Sequence, residues 1–289
     1  MAKINDEQAA QYALIAMAAE DMLDPSHQVL APALPAALAK SWQLVGHMTA
    51  LNALLGVQKI GLGDRVYYGF LARSTQDATQ YLAVVRGTEE VIEWIEDLEG
   101  LLIAGPPVGL VEQGFYSIYE SMRYLALGAG ASTAATAPLA AAGIAAVLPA
   151  GAAVTVIGHS LGSAIASYLM ADLARGANGK FAVGGSLFAC PKPGDAAFAR
   201  NVDAVVGAAN YVVYNYIRDI VPHVPPSLPL GLGFQPLPQT TWIQPAKAQA
   251  KIKNDPVCNH HAYCYAAMLD YTAVQAMSPA SVPCILGKG

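Results

Sequence analysis

Ser160 sits between two glycines, in Gly158-His159-Ser160-Leu161-Gly162, and this is where the chain first offers chemistry. The apolar, β-branched run Val154-Thr155-Val156-Ile157 before it reads as a buried strand, and Ser163 to Met170 after it as a helix. A serine at a tight turn from strand to helix is a nucleophile elbow. Glycines flank it because side chains at those two positions would clash. The turn leaves Ser160 at a helix N-terminus and aims the Leu161 amide at an oxyanion forming beside it. Five residues alone are a weak signal, and the strand and helix around them supply the context. The pattern occurs once in the chain. His159, inside the elbow, is expected to point away from Ser160 and to serve in packing.

A serine nucleophile needs a base to take its proton and an acid to hold that base in the right tautomer. On sheets that carry such elbows the acid and then the histidine follow the serine in the chain. The acids near strand ends are Asp195, Asp203 and Asp219. Asp219 follows the strongest strand pattern, Tyr211 to Ile217, and the Val221-Pro222 break would fix its direction. The later histidines are His223, His260 and His261, and His223 lies only four residues beyond Asp219 in a proline-rich turn. The four cysteines show no metal-ligand spacing and are too few for a disulfide framework. Cys258 and Cys264 bracket the histidine pair closely enough for one disulfide, but reduced thiols are the expectation. His27 and His47 read as structural.

These residues need a sizeable fold to position them. With 289 residues, 54% hydrophobic and 13% charged, the chain can bury a large core, and one domain over 1–289 is expected. A net charge of −5 with no basic run argues against nucleic acid and anionic membrane as standing partners. The N-terminal apolar stretch follows Asp6 and Glu7 rather than a basic region, so it reads as an amphipathic helix begun by Asn5 or Asp6. A cytoplasmic protein is the default expectation, with secretion by an unconventional route or after loss of a signal as the alternative. Tyr124 to Gly158 carries no charge, but Pro138 and Pro149 interrupt it, so a buried helix over Pro138 to Val147 is expected and no transmembrane segment. Strands are expected at Arg65 to Ala72, Tyr81 to Arg86 and Lys180 to Phe188. A helix should carry Phe115, Ile118, Tyr119, Met122 and Leu125 on one face, and Asp24 to Leu62 reads as mixed helix and loop. Strands alternating with helices point to an α/β fold with a mostly parallel sheet.

Five segments, in order, resemble the class 3 lipase family, to which the fungal triacylglycerol lipases belong. They are RGTEEVIEWIEDL, VEQGFYSIYESM, GHSLG, CPKPGDAAFARNV and RDIVPHVPP, and the likeness spans roughly Gly61 to Asp270. The resemblance implies an α/β-hydrolase fold with a helical lid, Ser160 as nucleophile, Asp219 as acid, and Thr88 with Leu161 as oxyanion hole. Asp195 then falls in a structural turn. Family members place a tyrosine a few residues after the base; from His260, Tyr263 and Tyr265 both fit, and His261 fits less well. His260 is therefore the expected base and His261 the alternative.

The expected activity is hydrolysis of carboxylic esters, most simply acylglycerols at a lipid–water interface, through an acyl-enzyme and without metal or cofactor. A phospholipase A1 or a short-chain carboxylesterase would use the same residues. An inactive fold serving as a binding module would lack one of the three. The segment after Thr88 carries Val91, Ile92, Ile95 and Leu98 at helical spacing with acidic residues around them. With Trp94, these are the expected lid residues.

Overall fold

The computed structural model describes residues 4–24, 26, 29–51, 65–88, 100–105, 108–130, 133–227, 233–275 and 283–289. Helix α1 (Asp6–Asp21) starts where the Asn5 side chain accepts from the Gln8 amide at 2.8 Å, with Asp6 and Glu7 in its positive first turn. It is followed by α2 (Ala36–Ala39), then β1 (Trp42–Leu51), β2 (Arg65–Ser74) and β3 (Gln80–Val85). Short strands β4 (Leu102–Ala104) and β5 (Leu110–Glu112) lead into α3 (Gln113–Ser121), β6 (Arg123–Ala126) and α4 (Ala140–Val147). The centre of the chain is β7 (Ala153–His159), α5 (Leu161–Ala177) and β8 (Ala182–Phe188). After β9 (Gly194–Asp195) come α6 (Ala196–Val206), β10 (Tyr211–Tyr216), β11 (Phe234–Gln235) and β12 (Thr240–Ile243). The C-terminal part is β13 (Ala250–Ile252), α7 (Pro256–His260), α8 (Ala262–Leu269) and β14 (Ile285–Lys288).

Among the described residues the main sheet has eight strands in the order β12-β10-β8-β7-β3-β2-β1-β6. β3, β7, β8, β10 and β12 pair in parallel, and β1, β2 and β6 complete the sheet by antiparallel pairing. Alternation along the strands splits the core into two layers. Val154 and Val156 face the layer that holds Phe115, Ile165, Leu169 and Val202 of α3, α5 and α6. Ile157 faces the layer of Ala9, Ala13 and Ile15 from α1 with Tyr265 and Met268 from α8. His159 shares the parity of Ile157, so it ends β7 on the α1 side.

Most expected elements form close to the expected residues, and three differ. The stretch read as mixed helix and loop contains β1, a ten-residue strand. Gly46, His47, Met48 and Ala50 are weak strand formers, and pairing with β2 and β6 on either side overrides that preference. Gly46 is needed there, because a Cβ would lie 2.5 Å from the Tyr124 hydroxyl. The helix expected to reach Leu125 stops at Ser121, and Leu125 belongs to β6. The helix expected to be buried, α4, starts at Ala140 and buries only Ala140, Gly143 and Ile144.

Cysteine pairing also differs from the expectation. Cys258 is joined to Cys284, with Cα atoms 5.2 Å apart, while Cys264 and Cys190 are free and buried. All three of Cys258, Cys264 and Cys284 pack in one buried cluster, and Cys258 bonds to Cys284, just before the terminal strand, a partner that sequence separation hid. Among the described residues no helix is long and apolar enough to cross a membrane.

Candidate active site

Ser160 holds the backbone that an elbow demands. Its φ of 56° and ψ of −134° are strained for a residue with a Cβ, and the strain persists only where the surroundings over-determine it. Two glycines provide that. A Cβ on Gly158 would lie 2.5 Å from the Gly162 carbonyl oxygen, and one on Gly162 would lie 2.5 Å from the Arg86 carbonyl oxygen. The start of α5 therefore presses directly on the end of β3 and on Arg86, the first of the three residues Arg86-Gly87-Thr88 that follow it. The Ser160 amide donates to Phe188 O at 3.0 Å, and Ser163 Oγ donates to Gly158 O or Phe188 O, each at 2.7 Å. Leu161 opens α5 and is fully buried, its amide among the N–H groups that a helix start leaves without an intrahelical partner.

Arg86 stiffens the opposite side of this junction, a role sequence reading did not assign. It is buried, with Nε donating to Tyr67 O at 2.6 Å and Nη1 to Gly87 O at 2.7 Å. Its guanidinium lies 4.4 Å from the Tyr68 ring centroid, a cation–π contact. The strand end bearing Thr88 is thus tied to β2.

Asp219 follows β10 by three residues and is almost completely buried. Its Oδ1 accepts from the Val221 amide at 3.0 Å, where the chain turns at Val221–His223. Its Oδ2 accepts from His260 Nδ1 at 2.8 Å and from the Tyr265 hydroxyl at 2.7 Å. Burial first, and then the Asp219 charge, push the Tyr265 phenol well above its ordinary pKa, so it remains a donor. The same hydroxyl accepts from the Tyr216 amide at 2.9 Å. Tyr265 thereby binds α8 to β10, and only its spacing from the histidine marked it in the sequence.

His260 is the last residue of α7. With Nδ1 on Asp219, Nε2 has no hydrogen-bond partner among the described residues, and neither has the buried Ser160 Oγ. In unliganded serine hydrolases such contacts are often long and close only around substrate. His261 is turned elsewhere: its ring packs on Tyr263 at 3.9 Å, and burial with the neighbouring His159 charge pulls its pKa down to about 4. His223 stacks on Trp242 at 5.1 Å. Asp195 caps α6 by accepting from the Phe198 amide at 2.8 Å, and Asp203 accepts from Gln239 at 2.8 Å. Of the acids and bases weighed from sequence, the structure joins Asp219 to His260 and leaves the others in structural contacts. Thr88 is half-buried at the β3 end. The expected lid residues Val91, Ile92, Trp94, Ile95 and Leu98 lie outside the described residues.

Comparison with known proteins places the chain in a family. The Lipase (class 3) family pattern matches residues 82–228, just over half of the chain. A secreted mono- and diacylglycerol lipase of Malassezia globosa, MDL2, is 42% identical over 96 residues, covering 33% of this chain and 30% of that protein. The rice (Oryza sativa subsp. japonica) phospholipase A1-II 4 is 32% identical over 176 residues, covering 55% and 43%. The chain thus spans less than half the length of these curated relatives. The crystal structure of M37 lipase superposes over 93% of this chain and 92% of its own, with a TM-score of 0.57 and 14% identity, a likeness of the α/β-hydrolase fold alone. The matched span begins in β3, takes in Thr88, the elbow and Asp219, and ends before His260; by that match the chain belongs to the class 3 lipase family.

Proposed function

We propose that the protein is a serine carboxylic ester hydrolase that acts on acylglycerols through Ser160, His260 and Asp219. The observation that carries this reading is the buried Asp219–His260 hydrogen bond, 2.8 Å long, beside an elbow serine whose hydroxyl is unpaired among the described residues. Asp219 holds His260 as the tautomer with a proton on Nδ1, which leaves Nε2 free to accept the Ser160 proton. The alkoxide attacks the ester carbonyl. The Leu161 and Thr88 amides stabilise the tetrahedral oxyanion, and loss of one such donor typically costs about 2.7–4 kcal/mol. His260 then protonates the departing alcohol, and water releases the acid by the same route.

The stretch expected as the lid runs from Glu89 to Ile103 and its end belongs to β4; we read the part that directly follows Thr88 as a lid whose apolar stripe covers the acyl site or meets lipid. The Cys258–Cys284 disulfide favours an oxidising compartment over the cytoplasm, in line with relatives named as secreted. We read the chain as one domain, since α1 and α8 from its two ends pack together in one core layer against the sheet whose other face carries the second layer. A second reading, phospholipase A1, has the rice relative in its favour. The test is a hydrolysis panel of mono-, di- and triacylglycerols beside a phosphatidylcholine. Release of fatty acid from acylglycerol at ten times or more the phospholipid rate is expected. The opposite ranking would move the substrate to phospholipid.

A further inference from the structure

His159 was expected only to pack, yet both of its ring nitrogens are engaged by acceptors. Nδ1 lies 2.9 Å from Glu20 Oε1, and Nε2 lies 2.7 Å from the backbone carbonyl oxygen of His260. A carboxylate and a carbonyl can only accept, and a neutral imidazole has one N–H to give. Both contacts are satisfied together when His159 carries two protons. The ring is 4% exposed and lies 4.7 Å, centroid to centroid, from the His260 ring. Glu20 comes from the last full turn of α1 and packs so closely on β3's end that a Cβ on Gly87 would lie 2.5 Å from its Oε1. The pair therefore spans three parts of the site: the strand end before Thr88, the elbow, and the end of α7.

We infer that His159, held as an imidazolium by Glu20, is a positioning residue that fixes the backbone of His260 next to the elbow; this rests on His260 being the base. The carbonyl it grips belongs to the last residue of α7, where helix carbonyls lack an intrahelical partner and a cation is favoured. Asp219 orients the His260 ring through Nδ1, and His159 holds the main chain from which that ring swings.

The charged and titratable groups facing His159 are Glu20 on α1, Asp219 after β10, His260 at the end of α7, His261 beside it, and Tyr265 on α8 at 6.1 Å between rings. Burial alone would lower the His159 pKa, but the Glu20 charge and hydrogen bond, the His260 carbonyl and Asp219 outweigh it and raise it. A raised folded-state pKa means that the pair's contribution is complete below the ordinary histidine value and is lost as pH rises through the folded one. Loss of the proton frees one of the two acceptors, and the grip on His260 weakens on the alkaline side.

The test combines kinetics on a soluble short-chain ester with nitrogen-15 histidine spectra of the wild-type protein. His159 is expected to keep both ring protons at pH 7, and Glu20→Gln to lower its titration midpoint by about one unit or more. His159→Phe, which keeps a ring but no donor, should reduce kcat about tenfold or more with KM within about twofold. His159→Gln, whose amide can reach the His260 carbonyl, should recover most of that loss and flatten the alkaline fall of kcat. A singly protonated His159 at pH 7, or His159→Phe with wild-type kcat and pH profile, would overturn the inference. If His260→Ala is inactive while His159→Phe is unaffected, only the positioning role fails. If His260→Ala keeps its activity, the reading of the base fails with it.

Discussion

At the scale of single residues the site is a chain of donors and acceptors that converges on Asp219. Its Oδ2 receives two hydrogen bonds and its Oδ1 a third, so the carboxylate has little freedom to rotate. Asp219→Asn should lower turnover by about 10⁴-fold, because an amide that donates to Nδ1 inverts the His260 tautomer. Steady-state kinetics on a folded variant measures this, and near-normal turnover would remove Asp219 from the mechanism. Tyr265→Phe takes one donor from Asp219 and the acceptor from the buried Tyr216 amide. A stability loss of about 1–3 kcal/mol is expected in urea unfolding, with a smaller effect on rate than Asp219→Asn. His260→Ala should be about as damaging as loss of Ser160, while His261→Ala should be mild. The reverse order in parallel assays would transfer the role to His261.

At the scale of elements, the site is held where α5 presses on the end of β3 and where α7 is tied to the terminal strand region. Gly162→Ala should lower kcat more than it raises KM, since its Cβ would force the α5 start away from Arg86 and so misplace the Leu161 and Thr88 amides proposed to face the oxyanion. Cys258 stands two residues before His260, and its bond to Cys284 closes a loop across 26 positions. Replacing both cysteines by serine should lower stability by about 2–4 kcal/mol. Thermal inactivation should then start at α7, before the sheet melts, which hydrogen exchange on α7 and β7 would resolve. The elbow and the strands around it were legible because they follow local rules: β-branched runs, glycine where backbones touch, and an aspartate closing a strong strand. β1 was not, because its pairing partners, rather than its own composition, make it a strand. The cysteine pair joins segments distant in the chain. The Glu20–His159 contact spans 139 positions, so the sequence showed an acidic residue at a helix end and a histidine in a motif, with nothing to join them.

At the scale of the molecule, two core layers clamp a sheet whose C-terminal strand ends carry Ser160, Thr88 and Asp219, and the α1 layer reaches the site through His159. The segment after Thr88 is expected to open on lipid, since an interface stabilises the state that offers it more apolar contact. Activity on a medium-chain ester should therefore rise more steeply above the solubility limit than below it. Trp94→Ala should change that rise more than it changes turnover of a soluble ester, and a plain hyperbola through the limit would mean a cover that does not move. The measurement that tests Ser160 as the nucleophile most directly is intact-mass spectrometry with peptide mapping after treatment with a fluorophosphonate ester. One equivalent of label on Ser160, greatly slowed labelling in His260→Ala, and parallel loss of esterase activity are the expected results. An unlabelled Ser160, or a folded Ser160→Ala variant that still hydrolyses esters, would contradict it.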